Sequence, residues 1–200
     1  MNGVTHVQAN TDELLLKRAQ KGDVTAFEEL MAAQESRMYA ISLRMMGNRE
    51  DAQDCAQEAM VRIYRAMGSF KGQSSLATWI YRITMNTCLD ELRRRKVRRV
   101  TSLDTLVEAG WAPVDPGDTP EEYGMRSEKQ AALSAAIQSL PADMRAAVVL
   151  RDIKGYSYDE IADILDANVG TIKSRISRGR EKLREILSKQ TELFGRSGVK

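Results

Sequence analysis

Between Gly170 and Arg184 the chain reads GTIKSRISRGREKLR, in which Lys173, Arg175, Arg178, Arg180, Lys182 and Arg184 stand against one acid, Glu181. Guanidinium groups can pair bidentately with guanine edges, and the remaining cations can meet phosphates. That is the chemistry of nucleic-acid recognition rather than of bond making. Groups that could make or break bonds are scarce. There is no P-loop and no metal-ligand cluster, and the one histidine, His6, lies at the extreme N-terminus. Cys55 and Cys88 have neither C-x-x-C spacing nor a histidine nearby, so buried thiols are expected rather than a zinc site or a disulfide framework. No catalytic residue, cofactor or metal site is expected.

The basic stretch needs a rigid support. Ile172, Ile176, Gly179 and Leu183 recur at intervals of four, three and four, which is one face of a helix and must be buried. Gly179 on that face costs about 1 kcal/mol of helix propensity relative to Ala, a cost that close approach of another helix would explain. Upstream, Ser157 with Glu160 forms a capping box opening a short helix that carries Ile161, Ala162, Ile164 and Leu165 inward. A turn at Asp166, Ala167 and Asn168 joins the two. Short helix, brief turn and long basic helix make a helix-turn-helix, whose second helix enters the major groove of DNA. Pro141 suits the first turn of the helix before it, which should end before Gly155.

The first half reads as helical throughout. Phe27, Leu30, Met31, Met38, Ile41 and Met45 trace one face, interrupted by Gly47 and Asn48. Asn48 can cap the next helix, whose apolar face is Ala52, Cys55, Ala56, Ala59, Met60, Ile63 and Met67 and whose other face is acidic. After GSFKGQSS a third helix is expected from about Leu76 to Arg95, with Leu76, Ile80, Ile83 and Leu92 inward. An earlier short helix should run near Asp12 to Lys21. No segment alternates with the period of a strand.

Net charge is only +2, but its distribution is uneven. Arg93 to Arg99 reads RRRKVRR, whereas Ser102 to Tyr123 holds six acids, no base and Pro113, Pro116 and Pro120. Such a segment reads as a linker. The expected fold is therefore all-α: two small helical domains joined by a flexible acidic linker rather than by a shared core, the second with a helix-turn-helix. Their expected extents are a disordered tail over 1–10, a first domain over 11–97, a linker over 98–126, a second domain over 127–190 and a tail over 191–200. No apolar run approaches the roughly 20 residues that span a bilayer, and the N-terminus lacks a signal-peptide pattern, so a cytoplasmic protein without membrane insertion is expected.

The segment SLPADMRAAVVLRDIKGYSYDEIADILDANVGTIKSRISRGREKLRE resembles region four of bacterial sigma factors, specifically the extracytoplasmic-function (ECF) subfamily. AFEELMAAQESRMYAISLRMMGNREDAQDCAQEAMVRIYRAM, followed by FKGQSSLATWIYRITMNTCLDELRRR, is similar to that subfamily's region two. The resemblance implies a promoter-specificity subunit that binds core RNA polymerase, through the beta-prime clamp and the beta flap, and helps to open promoter DNA. Asp51, Asp54, Gln57 and Glu58 match its polymerase contact. Phe70, Lys71, Tyr81, Arg82 and Asn86 match the part that binds and melts the minus-ten element, where stacking surfaces, an amide and cations can offset the cost of extruding a base. Trp79 is expected in the core. Lys173, Ser174, Arg175, Ser177 and Arg178 match the positions facing the minus-thirty-five element, Arg178 being the first choice for a guanine contact. Two positions depart from the family pattern: Asp166 replaces a common glycine in the turn, and Ser177 is too small for an apolar contact with a thymine methyl. An anti-sigma protein is a further implied partner; no small-molecule substrate is. The alternative is a two-domain helix-turn-helix repressor or response-regulator-like protein, which would bind as a dimer on paired half-sites.

Overall fold

The computed structural model describes residues 13–101 and 120–189, with side chains over 13–98 and 130–189, and every regular element in those spans is helical. A short helix, α1, covers 13–20 and turns at Gly22. Asp23 then caps α2 (Val24–Met46), its carboxylate accepting from the Ala26 amide at 3.0 Å. The expected apolar face of α2 is buried. The helix stops at Gly47, whose φ of 85° places it in the left-handed region that glycine adopts without strain.

Asn48 caps α3 (Arg49–Ala66) by accepting from the Asp51 amide, and Ala52, Cys55, Ala59 and Ile63 face the core. A 3₁₀ turn, Met67–Ser69, leads into a loop and then α4 (Leu76–Thr101). Trp79, Ile80, Met85, Cys88 and Leu89 of α4 are buried, which puts Trp79 in the core as expected.

The second half comprises α5 (Pro120–Ser139), α6 (Ala142–Val148) continuing through a π-helical turn (Val149–Ile153), α7 (Tyr158–Leu165) and α8 (Val169–Ser188). Pro141 stands at the cap before α6 rather than within its first turn. The capping box is complete: the Glu160 amide donates to Ser157 Oγ, and the Ser157 amide donates to the Glu160 carboxylate. Ile172, Ile176 and Gly179 of α8 are buried against α6. A Cβ built on Gly179 would lie 2.7 Å from Val148 Cγ2, so glycine sits where two helices approach too closely for any side chain.

The two halves meet directly. One buried cluster joins Ile41, Met45 and Met85 of the first half to Ile137, Val149 and Ile161 of the second. A second cluster, around Phe27, Leu30, Met31 and Trp79, belongs to the first half alone. The expectation that a linker, rather than a shared core, joins the domains therefore describes the covalent connection but not the packing. Apolar faces left on α2 and α4 bury those left on α5, α6 and α7, because leaving them in water costs about 25 cal/mol per Å². Helical backbone also enters both ends of the expected linker, α4 reaching Thr101 and α5 starting at Pro120. The acidic middle of that linker and the expected tails over 1–10 and 191–200 lie outside the described residues.

Candidate nucleic-acid interface

Helix α8 divides its cations by what holds them. Asn168 caps α8, its side-chain oxygen accepting from the Thr171 amide at 2.8 Å. Lys173, Ser174, Ser177 and Arg178 are exposed along the face opposite Ile172 and Ile176. Arg175 is half-buried and lies 3.4 Å from Asp143 of α6, while Lys173 stands 5.7 Å from the Tyr158 ring. Arg180 turns away and pairs with Asp152, its Nε donating at 3.0 Å. Thus Arg180, although part of the same basic stretch, braces α8 against the π-helical turn that follows α6, and its ionic partner holds its guanidinium above the ordinary range. Arg178 and Lys173 remain outward-facing and can take phosphates or base edges.

The turn before α8 relies on an unusual backbone. Asp166 has φ 48° and ψ 56°, the one non-glycine residue with positive φ among the described residues. Left-handed geometry costs most L residues about 1 kcal/mol or more, and Asp tolerates it better than most. The departure from glycine thus leaves the turn's shape intact.

On α3 the acids separate in the same way. Asp54, Gln57 and Glu58 are exposed, at a spacing that shares one face. Asp51 is half-buried and engaged bidentately by Arg95 of α4, with Asn48 adding a further hydrogen bond. The Arg95 guanidinium holds the Asp51 carboxyl below its ordinary range against the opposing effect of burial. Asp51 therefore ties α3 to α4, in addition to any contact it makes outside the chain. Glu58 accepts from Arg62 at 2.9 Å, and Arg62 reaches Asp90 of α4 at 3.0 Å, a second bridge between the same helices.

The loop after α3 and the first turns of α4 form one wall of a cleft of about 1050 Å³, lined there by Phe70, Lys71, Gln73, Trp79 and Arg82. The Phe70 ring lies 5.1 Å from that of Trp79, and Gln20 donates to the Phe70 carbonyl at 2.8 Å, so the aromatic pair is positioned by the core. Lys71 and Arg82 are exposed. Asn86 is half-buried one turn beyond Arg82, outside the lining. Tyr81 differs. It is only 8% exposed, packed edge-to-face against Tyr156 at 5.9 Å with the Lys154 ammonium 5.4 Å from its ring. In this arrangement no base can stack on Tyr81.

The opposite wall of the cleft comes from α7 and its turn, including Glu160, Asp163 and Asp166. Nothing in the sequence pattern pairs these acids with Lys71 and Arg82. Arg145 was equally hidden. Its one visible signal is that it is a lone cation in the apolar run RAAVVL, and in the structure it is buried between the halves. Its guanidinium donates to the carbonyls of Met45 and Leu140 and to both the side-chain and main-chain oxygens of Gln138. Among the described residues no carboxylate pairs with it and its Nε has no hydrogen-bond partner, and burial pulls its pKa down to about 10. Cys55 and Cys88 are both buried, and the Cys88 thiol lies 3.6 Å from the Ser42 hydroxyl.

Comparison with known proteins bears on both halves. Residues 30–98 match the family model described as sigma-70 region 2, and residues 130–183 match that of sigma-70, region 4. The RNA polymerase sigma-H factor of Pseudomonas aeruginosa is 37% identical over 180 residues, covering 88% of this chain and 93% of that protein. The ECF RNA polymerase sigma-E factor of Escherichia coli K12 is 37% identical over 177 residues, covering 86% of this chain and 92% of that protein. Among solved structures, the sigma factor RpoE of Bartonella quintana, in complex with the anti-sigma factor NepR, superposes with a TM-score of 0.65 at 26% identity, over 81% of this chain and 96% of that one. CnrH, in complex with the cytosolic domain of CnrY, shares the fold with a TM-score of 0.60 at 24% identity, over 90% of this chain and 98% of that one. With both sigma-70 regions present in order and relatives this similar over nearly their whole length, the chain belongs to the ECF family of RNA polymerase sigma factors.

Proposed function

We propose that this sigma factor binds core RNA polymerase through the exposed Asp54, Gln57 and Glu58 face of α3, with Asp51 holding that helix in place. Its helix-turn-helix reads the minus-thirty-five element with Lys173, Ser174, Arg175, Ser177 and Arg178. The loop and α4, through Phe70, Lys71, Arg82 and Asn86, bind the unpaired minus-ten strand; Tyr81, buried against Tyr156, can add its ring only where the two halves part. Residues 11–97 and 127–190 act as the two promoter-binding modules. The phosphodiester chemistry belongs to the polymerase, so the chain acts in the cytoplasm as a specificity subunit rather than as a catalyst. An anti-sigma protein is the partner expected to restrain it, as NepR accompanies the Bartonella relative.

The observation that carries this assignment is the sorting of charge on α8. Arg180 is taken by Asp152, while Lys173 and Arg178 are left on the outer face beside two small hydroxyls. A helix that merely needed solubility would have no reason for a buried, sided seam closed by glycine behind an outward row of donors. Run-off transcription with purified core polymerase, with and without the chain, on a promoter library is the direct test. Initiation that depends on the chain is expected. Absence of initiation, with dimeric binding to paired half-sites, would make it a repressor.

A further inference from the structure

The chain has two cysteines, and the fold brings both to one point between α3 and α4. Cys55 of α3 and Cys88 of α4 are in side-chain hydrogen-bond contact, and the Cys88 thiol lies 3.6 Å from the Ser42 hydroxyl of α2. Met45, Ala52, Met85 and Leu89 share their buried cluster. The two thiols differ in access, Cys55 being 5% exposed and Cys88 not at all. They also differ in acidity. The hydrogen bond with Cys88 holds the Cys55 thiol below its ordinary range, aided by the Arg95 guanidinium and opposed by burial and the Glu91 and Asp51 carboxylates, whereas the same bond and burial push Cys88 up. An edge-accessible thiolate beside a protonated thiol is the arrangement of an attacking and a resolving cysteine. We propose that Cys55 and Cys88 form a peroxide-responsive dithiol whose disulfide reduces docking of α3 on RNA polymerase. The docking half of the proposal rests on the assignment of the Asp54, Gln57 and Glu58 face to polymerase.

The Cys55 thiolate attacks one oxygen of a hydroperoxide: a sulfur–oxygen bond forms, the oxygen–oxygen bond breaks, and the leaving oxygen takes the proton that Cys55 gave up. Sulfur is oxidised by two electrons and the peroxide is reduced. The Cys88 sulfur then attacks the sulfenic sulfur of Cys55, and hydroxide departs with the Cys88 proton as water. Two thiols and one hydroperoxide give one disulfide, one alcohol and one water, with a second water in place of the alcohol when the oxidant is hydrogen peroxide. Exchange with a small dithiol restores the pair, as suits a disulfide that is transient rather than structural. Closing the bond draws the two sulfurs from hydrogen-bond contact to about 2.05 Å. Ala52 and Ala59, one turn to either side of Cys55, are buried and have no bulk to hold α3 off. Asp54 precedes Cys55 and Glu58 follows it by one turn, so the turn that shifts is the turn that docks. The Asp51–Arg95 and Arg62–Asp90 bridges join the same two helices and must adjust to the new spacing.

The test uses the full-length chain, hydrogen peroxide and dithiothreitol, with pull-down of purified core polymerase as the functional readout. Peroxide-treated wild type should lose the mass of two hydrogens, yield a Cys55–Cys88 cross-linked peptide on non-reducing digestion, and retain at least about fivefold less polymerase than the reduced chain. Dithiothreitol should reverse all three. Cys88→Ala should stop at a sulfenic acid on Cys55 that dimedone traps, and Cys55→Ala should leave Cys88 unlabelled. Cys55→Ala with Cys88→Ala controls for oxidised methionines, and its pull-down should not respond to the same dose. Reversal by dithiothreitol reads the same distinction in the wild-type chain, because methionine sulfoxide needs its own reductases. The proposal is overturned by a wild-type chain that stays a dithiol at a peroxide dose that consumes free glutathione, by a disulfide-bonded chain that docks as well as the reduced one, or by a folded double variant that loses docking equally. A reduced wild-type chain that retains no polymerase would instead remove the docking assignment, while the mass readout still decides whether the disulfide forms.

Discussion

Single residues in this protein separate into those that face outward and those that hold the frame, although many carry the same charge. Arg178 is outward and Arg180 is paired with Asp152, two positions apart on one helix. Arg178→Ala should lose about 1 to 3 kcal/mol at one minus-thirty-five base and tolerate changes there, measured by binding to a panel of single-base promoter variants. Equal weakening on every variant would make Arg178 a phosphate contact. Asp166 offers a stability measurement of the opposite sign. Its left-handed backbone should relax in Asp166→Gly, raising stability by up to about 1 kcal/mol in urea unfolding, less what the more flexible unfolded chain takes back. Asp51 adds a pH dependence. Its carboxyl is depressed by Arg95, so its contribution is complete above the ordinary carboxylate value of about 3.9 and is lost as pH falls through its lowered folded value. Thermal unfolding of Asp51→Asn should therefore begin lower at neutral pH and show a shallower decline than wild type on acidification.

Helices are where local signals agree with one another. Helices α2, α3, α7 and α8 each start on their own side-chain cap, Asp23, Asn48, Ser157 with Glu160 and Asn168 respectively, whereas α6 follows Pro141 with none. The seam between α6 and α8 depends on a single missing side chain. Gly179→Ala should gain about 1 kcal/mol of helix propensity yet drive a methyl to 2.7 Å from the buried, β-branched Val148. The clash should prevail. Unfolding by urea is expected to show a net loss of about 1 to 2 kcal/mol, because overpacking a tight seam typically costs 1 to 3 kcal/mol. Minus-thirty-five binding should weaken with it, since α6 also supplies Asp143 beside Arg175. A neutral or stabilising outcome would mean that α6 can withdraw from α8 without harm.

For the whole molecule, what matters is that the surfaces proposed for melting and for docking are different. Lys71 and Arg82 lie in the cleft, the exposed acids of α3 do not line it, and α8 is a third face. Lys71→Ala combined with Asn86→Ala should leave minus-thirty-five contacts in place but yield few open complexes on duplex promoters, read out by permanganate reactivity of unpaired thymines. A template already mismatched over the minus-ten segment should partly rescue initiation, because much of the unpairing cost is removed beforehand. Normal opening on duplex DNA by the folded double mutant would sink the melting role of this loop and helix. Association with polymerase should depend on α3 independently. Asp54→Lys with Glu58→Lys reverses two exposed charges and should weaken pull-down of core polymerase while sparing DNA binding by α8.

Helix positions, caps and the helix-turn-helix were legible in the sequence because each is decided within a few residues. Ser157 and Glu160 are three apart, Ile172, Ile176 and Gly179 span two turns, and Asn48 caps its own helix. Family membership was legible for the same reason, through ordered local motifs. The burial of Tyr81, the pairing of Asp51 with Arg95 and of Arg180 with Asp152, and the docking of α7 over α4 were not. Their partners lie 75, 44 and 28 residues away or on a helix reached across the acidic linker. Charge and hydropathy along a chain say that a cation or an apolar face needs a partner, but several partners of suitable chemistry are always available. Only the three-dimensional packing, which minimises exposed apolar area and unpaired charge over all helices at once, selects one of them.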